Sequence, residues 1–148
     1  MQSAISGENA GAVYSITTRM REPLLAYERA ARVVENAVLA GRERRWYYLL
    51  AYVVMPDHLH LIIRPREREV ERAVQAVKSL AGRQVNALLN RKGSLWRSGF
   101  GKRVIEDISA AKRTIKYIEA NPVRERLAST PEGYRFSSAH RREDVDAL

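Results

Sequence analysis

Residues 51–63 read Ala51-Tyr52-Val53-Val54-Met55-Pro56-Asp57-His58-Leu59-His60-Leu61-Ile62-Ile63. The run is apolar and β-branched on both sides of a Met-Pro-Asp turn signal, which predicts two adjacent strands over roughly 45–54 and 58–64. With so short a connection they pair antiparallel as a hairpin. Side chains two apart on a strand share a face. His58 and His60 therefore leave one side of the sheet together, while Leu59 and Leu61 point into the opposite, apolar layer. Two imidazoles so placed can chelate a metal ion.

Outward from the hairpin, strand and helix patterns alternate without an internal repeat. Ala12 to Arg19 has the β-branched and aromatic content of a first strand. Pro23 opens a turn into a helix over roughly 25–40, with Gly41 expected as its C-cap. A longer amphipathic helix spans roughly 69–90, with Val70, Val74, Val77, Ala81 and Leu88 on its apolar stripe. Its polar stripe, Arg72, Gln75, Ser79, Arg83, Asn86 and Asn90, offers donors to phosphate and sugar along one line; it reads equally as an ordinary solvated face. Leu95 to Ile105 mixes aromatic, glycine and basic residues, as a loop and short strand touching single-stranded bases would. Trp96 and Phe100 read equally as core anchors, since large aromatics are mostly buried.

A last helix over roughly 109–121 carries Ile108, Ala111, Ile115 and Ile118 as its apolar stripe, Asp107 or Ser109 as N-cap, and Pro122 as a stop at Asn121. Tyr117 and Asn121, four apart, share a face away from the isoleucines. Taken alone they are a helix-edge tyrosine and a C-capping amide as readily as a reactive pair. These elements predict an α/β (α+β) fold, a mainly antiparallel sheet of four or five strands with packed helices, of the ferredoxin-like or RNA-recognition-like kind.

The chain has 148 residues, which suits one domain. Expected divisions are a flexible leader at 1–12, the domain at 13–138 and a polar, poorly ordered tail at 139–148. Twenty-six Lys and Arg against 17 Asp and Glu give a formal charge of +9. Such an excess favours a polyanionic partner, nucleic acid first. The absence of cysteine excludes disulfides and thiolate metal sites. No run of apolar residues is long enough to span a bilayer, and Met1-Gln2-Ser3-Ala4 lacks signal-peptide character, so no membrane partner and a cytoplasmic location are expected.

The run Val54 to Ile62, the stretch from Lys78-Ser79-Leu80 through Asn86, the Trp96 loop, Tyr117-Ile118-Glu119-Ala120-Asn121-Pro122-Val123-Arg124-Glu125-Arg126-Leu127, and Pro131 to Ser138 together resemble the one-tyrosine HUH transposases. Within that group the chain is most similar to the REP-associated tyrosine transposases. The resemblance implies an HUH fold and a metal-dependent endonuclease and strand transferase acting on single-stranded or hairpin DNA. It implies that Tyr117 is the nucleophile of a covalent 5′-phosphotyrosine intermediate, and that Asn121 joins His58 and His60 around Mg²⁺ or Mn²⁺. Expected DNA contacts are Arg72, Gln75, Lys78, Ser79, Arg83, Asn86, Trp96, Arg97, Lys102, Arg103, Arg113 and Arg124. It further implies a nucleoid-associated bacterial protein, a monomer in preference to a dimer.

Two positions depart from the pattern: Ser15 stands where the family often has a histidine, and Lys102 where it often has an acid. They motivate an alternative, a domesticated protein that binds hairpin DNA without cutting it. Other rivals fare worse. A zinc hydrolase needs more ligands than His140 supplies, and a histidine-triad nucleotide hydrolase needs a histidine at Ile62.

Overall fold

The computed structural model describes residues 11–148. The expected leader therefore lies, except for Gly11 and Ala12, outside the described residues. The elements run β1 (Val13–Arg19), a 3-10 turn (Leu24–Ala26), α1 (Glu28–Glu43), β2 (Tyr47–Met55), β3 (His58–Pro65), α2 (Val70–Leu89), β4 (Gly101–Ile105), α3 (Ile108–Glu119), α4 (Asn121–Arg124) and a second 3-10 turn (Arg142–Asp144). The strands form one sheet in the order β2-β3-β1-β4, and every pairing is antiparallel. This is the ferredoxin-like arrangement, βαββαβ, followed by a helical extension.

Strand alternation divides the core into two layers. Ile16, Tyr52, Val54, Leu59, Leu61 and Ile63 pack against α1 and α2 through Val34, Val38, Val74, Val77 and Ala81. On the other face Val13, Leu50, Ala51, Val53, Met55 and Ile62 meet Ile118, with Ile115 at the margin. α3 thus covers part of the face that carries the histidines. Its N-terminus is fixed as expected: the Ala110 N–H donates to Asp107 Oδ1 at 2.7 Å.

Three expectations are corrected. Gly41 is no C-cap; it lies inside α1, which runs to Glu43. A Cβ at Gly41 would collide with the ring of Tyr47, whose hydroxyl donates to the Val38 carbonyl at 2.6 Å. Close approach of a ring, not helix termination, explains that glycine. Pro122 does not end helical backbone: α3 stops at Glu119 and a new turn, Asn121–Arg124, starts with the proline in its first turn, where the missing N–H costs nothing.

The third correction concerns the tail, 139–148, which continues a segment from Phe136 onward that is docked along β2, the outer strand. Val54 N–H donates to Phe136 O at 2.9 Å, Ser138 N–H to Tyr52 O at 2.9 Å, and Asp146 N–H to Leu49 O at 2.7 Å. Asp146 also pairs with Arg42 at 3.0 Å, Arg141 with the buried Glu35 at 3.0 Å, and Arg142 with Glu119 at 2.6 Å. The segment covers a sheet edge that would otherwise expose unpaired backbone groups.

Candidate active site

The strand registers assemble the site. β3 lies between β1 and β2 and sets His60 opposite Thr17 and Val53, and His58 opposite Arg19 and Met55. As expected from the alternation, both imidazoles leave the face opposite Leu59 and Leu61. His58 Nδ1 is 2.7 Å from Asp57 Oδ1, and His60 Nδ1 is 2.9 Å from Thr17 Oγ1. Each ring is thus held at its Nδ1, which turns both Nε2 atoms inward to 3.1 Å from one another. The Asn121 side-chain amide reaches His58 Nε2 at 3.3 Å.

Tyr117 extends from α3 into the same space. Its side chain is 65% exposed, and the Arg124 guanidinium lies over its ring, 3.9 Å from the centroid. Arg124 is itself fixed by donating to the Tyr117 carbonyl at 2.9 Å. A cleft of about 550 Å³ is lined by Arg19, Asp57, His58, His60, Tyr117, Asn121 and Arg124, among others. One chain brings all four chemically central residues around one opening.

Electrostatics follow from this crowding. Burial, then the charges of His58, Arg19 and Arg124, pushes His60 down to about 4, so its ring is neutral at physiological pH. The hydrogen bond with His58 holds the Asp57 carboxyl below its usual range. Among the described residues no group of three or more His, Cys, Asp or Glu is placed to hold a metal. The available set is two neutral nitrogens plus an amide whose oxygen and nitrogen exchange by a flip. Converging Nε2 atoms, each backed at Nδ1 by an oxygen, have the form of a metal-ligating pair with its supporting partners. The Thr17 hydroxyl can donate or accept, so His60 keeps access to the tautomer with a free Nε2 lone pair. Two imidazole nitrogens and one amide are too few to close a four-coordinate structural zinc site.

Most expected DNA contacts gather elsewhere. Gln75, Lys78, Ser79, Arg83, Asn86, Trp96 and Arg97 line a groove of about 430 Å³ between α2 and the Trp96 loop. Inside it three of these side chains have partners within the protein. Trp96 is 5% exposed and donates from Nε1 to the Lys78 carbonyl at 3.0 Å, so its ring is a core anchor and no platform for a base. Lys78 is buried as well, and its ammonium donates to Gly99 O at 2.8 Å. The Asn86 amide donates to Gly93 O and accepts from Arg91, both at 2.8 Å. These polar groups hold the loop.

The remaining basic residues scatter. Arg72 is exposed outside the groove. Lys102 sits opposite Ile16 and is paired with Glu71 at 2.6 Å, on the α2 side of the sheet. Arg103 is opposite Ser15 and lines a hollow with His60, Thr114 and Tyr117. Arg113 is exposed on α3 and donates to Ser109 at 2.7 Å. Thr17, Arg19 and Asp57 also border the imidazoles, beyond the residues that the sequence motifs mark. Asp57 was legible as the residue preceding the pair; Thr17 and Arg19 required the β1–β3 register.

No curated protein matches the chain. Among solved structures, a REP-associated tyrosine transposase bound to a REP hairpin superposes with a TM-score of 0.71 at 20% identity, covering 95% of this chain and 84% of the other. A protein of Deinococcus radiodurans designated a transposase superposes with a TM-score of 0.57 at 17% identity, covering 80% and 96%. At these identities the likeness establishes the shared fold. The family model described as "Transposase IS200 like" matches residues 14–121, more than half of the chain, and includes the histidine hairpin, Tyr117 and Asn121. The protein therefore belongs to the IS200-like transposases, enzymes that act on DNA.

Proposed function

We propose that the protein is a metal-dependent single-stranded DNA endonuclease and strand transferase that cuts beside DNA hairpins through a phosphotyrosine intermediate. The observation that carries this reading is the convergence of the His58 and His60 Nε2 atoms, 3.1 Å apart, in the cleft that Tyr117 also lines. The structural relative bound to a REP hairpin supports a hairpin as the substrate here.

In the proposed reaction the Tyr117 Oη attacks the scissile phosphorus. The bond from phosphorus to the 3′ oxygen breaks, the phenol loses its proton, and the departing 3′ oxygen gains one. The product is a 5′-phosphotyrosine, whose bond energy lets a 3′-OH reverse the step and join strands without ATP. Arg19 and Arg124 are placed to take non-bridging phosphate oxygens. Asp57 and Thr17 orient the imidazoles. His58, His60 and Asn121 would hold Mg²⁺ or Mn²⁺, which when bound polarises the phosphate and offsets its charge.

The fold of one chain brings these groups together, which supports a site completed within a subunit. One motive of the non-cleaving alternative is weakened, because the Lys102 ammonium is engaged by Glu71. The test is a labelled hairpin oligonucleotide with Mn²⁺, with and without chelator. Wild type should nick it and Tyr117→Phe should not. Tight, salt-sensitive binding with no nick under any metal would favour the alternative.

A further inference from the structure

α3 carries Tyr117, yet little of the helix is buried: its buried residues are Ala111, Ile118 and Glu119. Ala111 and Ile118 hold it against the sheet, but apolar attraction has no direction and fixes neither rotation nor slide. Glu119 supplies direction. A carboxylate is seldom buried unless it is partnered, and this one is 6% exposed. It stands two residues after Tyr117 and two before Asn121, about 200° around the helix from the tyrosine.

Both of its oxygens are taken. Oε1 accepts from the Arg142 guanidinium at 2.6 Å, and Oε2 accepts from the Ser138 hydroxyl. Ser138 is itself fixed to the middle of β2, where its Oγ accepts from the Tyr52 N–H at 3.0 Å and its own N–H donates to the Tyr52 carbonyl at 2.9 Å. Tyr52 adjoins Val53, which lies opposite His60 in the β2–β3 register. The helix that bears Tyr117 is therefore tied by directional bonds to the strand beside the one that bears the imidazoles. Glu119, Ser138 and Arg142 do not themselves line the cleft.

We propose that Glu119 is a positioning residue for DNA cleavage: clamped by Ser138 and Arg142, it sets where Tyr117 and Asn121 stand relative to His58 and His60, and it touches no substrate. The proposal deepens the cleavage reading above and rests on it. One arm of the clamp, Arg142, belongs to the docked tail, so that segment acquires a consequence for the reaction as well as for the sheet edge.

The experiment compares Glu119→Gln, Glu119→Ala and Arg142→Ala with wild type. Glutamine preserves the clamp: its oxygen accepts from Arg142 and its amide donates to Ser138 Oγ, whose hydroxyl turns to the Tyr52 carbonyl 3.2 Å away. Alanine at 119 removes both bonds. Alanine at 142 removes one, from a side chain that is 56% exposed, and leaves the tail held by Arg141 on Glu35 and Asp146 on Arg42. It keeps the test open if Glu119→Ala does not fold. Single-turnover nicking of a hairpin oligonucleotide is measured with Mn²⁺ at saturating protein, and hairpin affinity by anisotropy. Nicking should fall about a hundredfold for Glu119→Ala and about tenfold for Arg142→Ala, the scale expected when reacting groups are displaced by about 1 Å. Affinity should stay within about threefold throughout, and Glu119→Gln should nick within about threefold of wild type, since a clamp that only positions acts on the rate at saturation. Wild-type rates in either alanine variant, affinity falling in step with rate, or a glutamine variant as slow as alanine each overturn the proposal.

A second readout needs no DNA. The chain has no cysteine, so spin labels at Arg29→Cys on α1 and Lys112→Cys on α3, both exposed, report the placement of α3 by double electron–electron resonance. Glu119→Ala should shift or broaden the distance distribution and Glu119→Gln should not; one distribution shared by all three proteins overturns the proposal. A distribution that responds as expected, in a protein whose wild type forms no Tyr117-linked product, defeats the cleavage reading and leaves the hold of Glu119 on α3 standing.

Discussion

The histidine cleft and the Trp96 groove flank the same end of β1, with Arg19 lining one and Arg21 the other. Both hold polar, basic and aromatic side chains. They differ in where those side chains direct their bonding capacity. In the cleft, Asp57 and Thr17 take the Nδ1 side of each imidazole, the two Nε2 atoms converge on one another and on the Asn121 amide, and the tyrosine is mostly exposed. In the groove, Lys78, Asn86 and Trp96 donate to the loop's or helix's own carbonyls. Residue type alone marks both places alike; the direction of the hydrogen bonds separates a place where potential ligand atoms converge from one where side chains are tied to the backbone of their own loop and helix.

The contrast breaks most sharply under substitution of the imidazoles. Alanine at His58 or His60 should lower the nicking rate by about a thousandfold or more, roughly 4 kcal/mol on the barrier, while hairpin affinity stays within a few fold. A parallel fall in affinity would place the cleft's role in binding. Trp96→Ala should act on the fold instead, costing about 3–5 kcal/mol of stability by denaturant unfolding. If stability holds and affinity for single-stranded DNA drops by about 1–3 kcal/mol, the ring stacks on a base after all.

Acid should separate the two regions as well. His60 has its pKa lowered to about 4 against a reference near 6.5. Between those values the unfolded chain binds more protons, so stability rises with pH across the window and is lost as pH falls from about 6.5 toward 4, by at most about 3 kcal/mol. In metal-free protein, His60→Gln should flatten that slope, read from denaturation midpoints; a slope that survives the substitution assigns it to another group. The smallest effect expected is at Thr17→Val, which removes the oxygen behind His60. Metal affinity should drop about 10–100-fold by titration calorimetry, with the groove and the fold untouched. Unchanged affinity would mean that the hydroxyl does not orient the ring.

How much of this was legible in the sequence follows the range of the contacts. The hairpin, the shared face of His58 and His60 and the Asp107 cap depend on neighbours a few residues away, and strand alternation and capping chemistry predict them. The four-residue spacing of Tyr117 and Asn121 put them on one side of a helix, although Asn121 turned out to begin a new turn. What stayed hidden is non-local. Gly41 answers to Tyr47, and Thr17 meets His60 across 43 positions. The tail carries few apolar residues, so composition suggested looseness; Asp146, Arg141 and Arg142 dock it through paired charges that hydropathy does not register. Trp96 shows the same limit: an aromatic in a basic loop has one appearance whether it faces solvent or the core.

The central claim is that the phenol of Tyr117 attacks a phosphate in the cleft, and the most direct measurement is peptide mapping by mass spectrometry of the covalent product formed with a hairpin oligonucleotide and Mn²⁺. The account predicts a nucleotide mass on the peptide containing Tyr117 and none from Tyr117→Phe protein. An adduct on another residue, or undiminished nicking by Tyr117→Phe with no adduct, would contradict it.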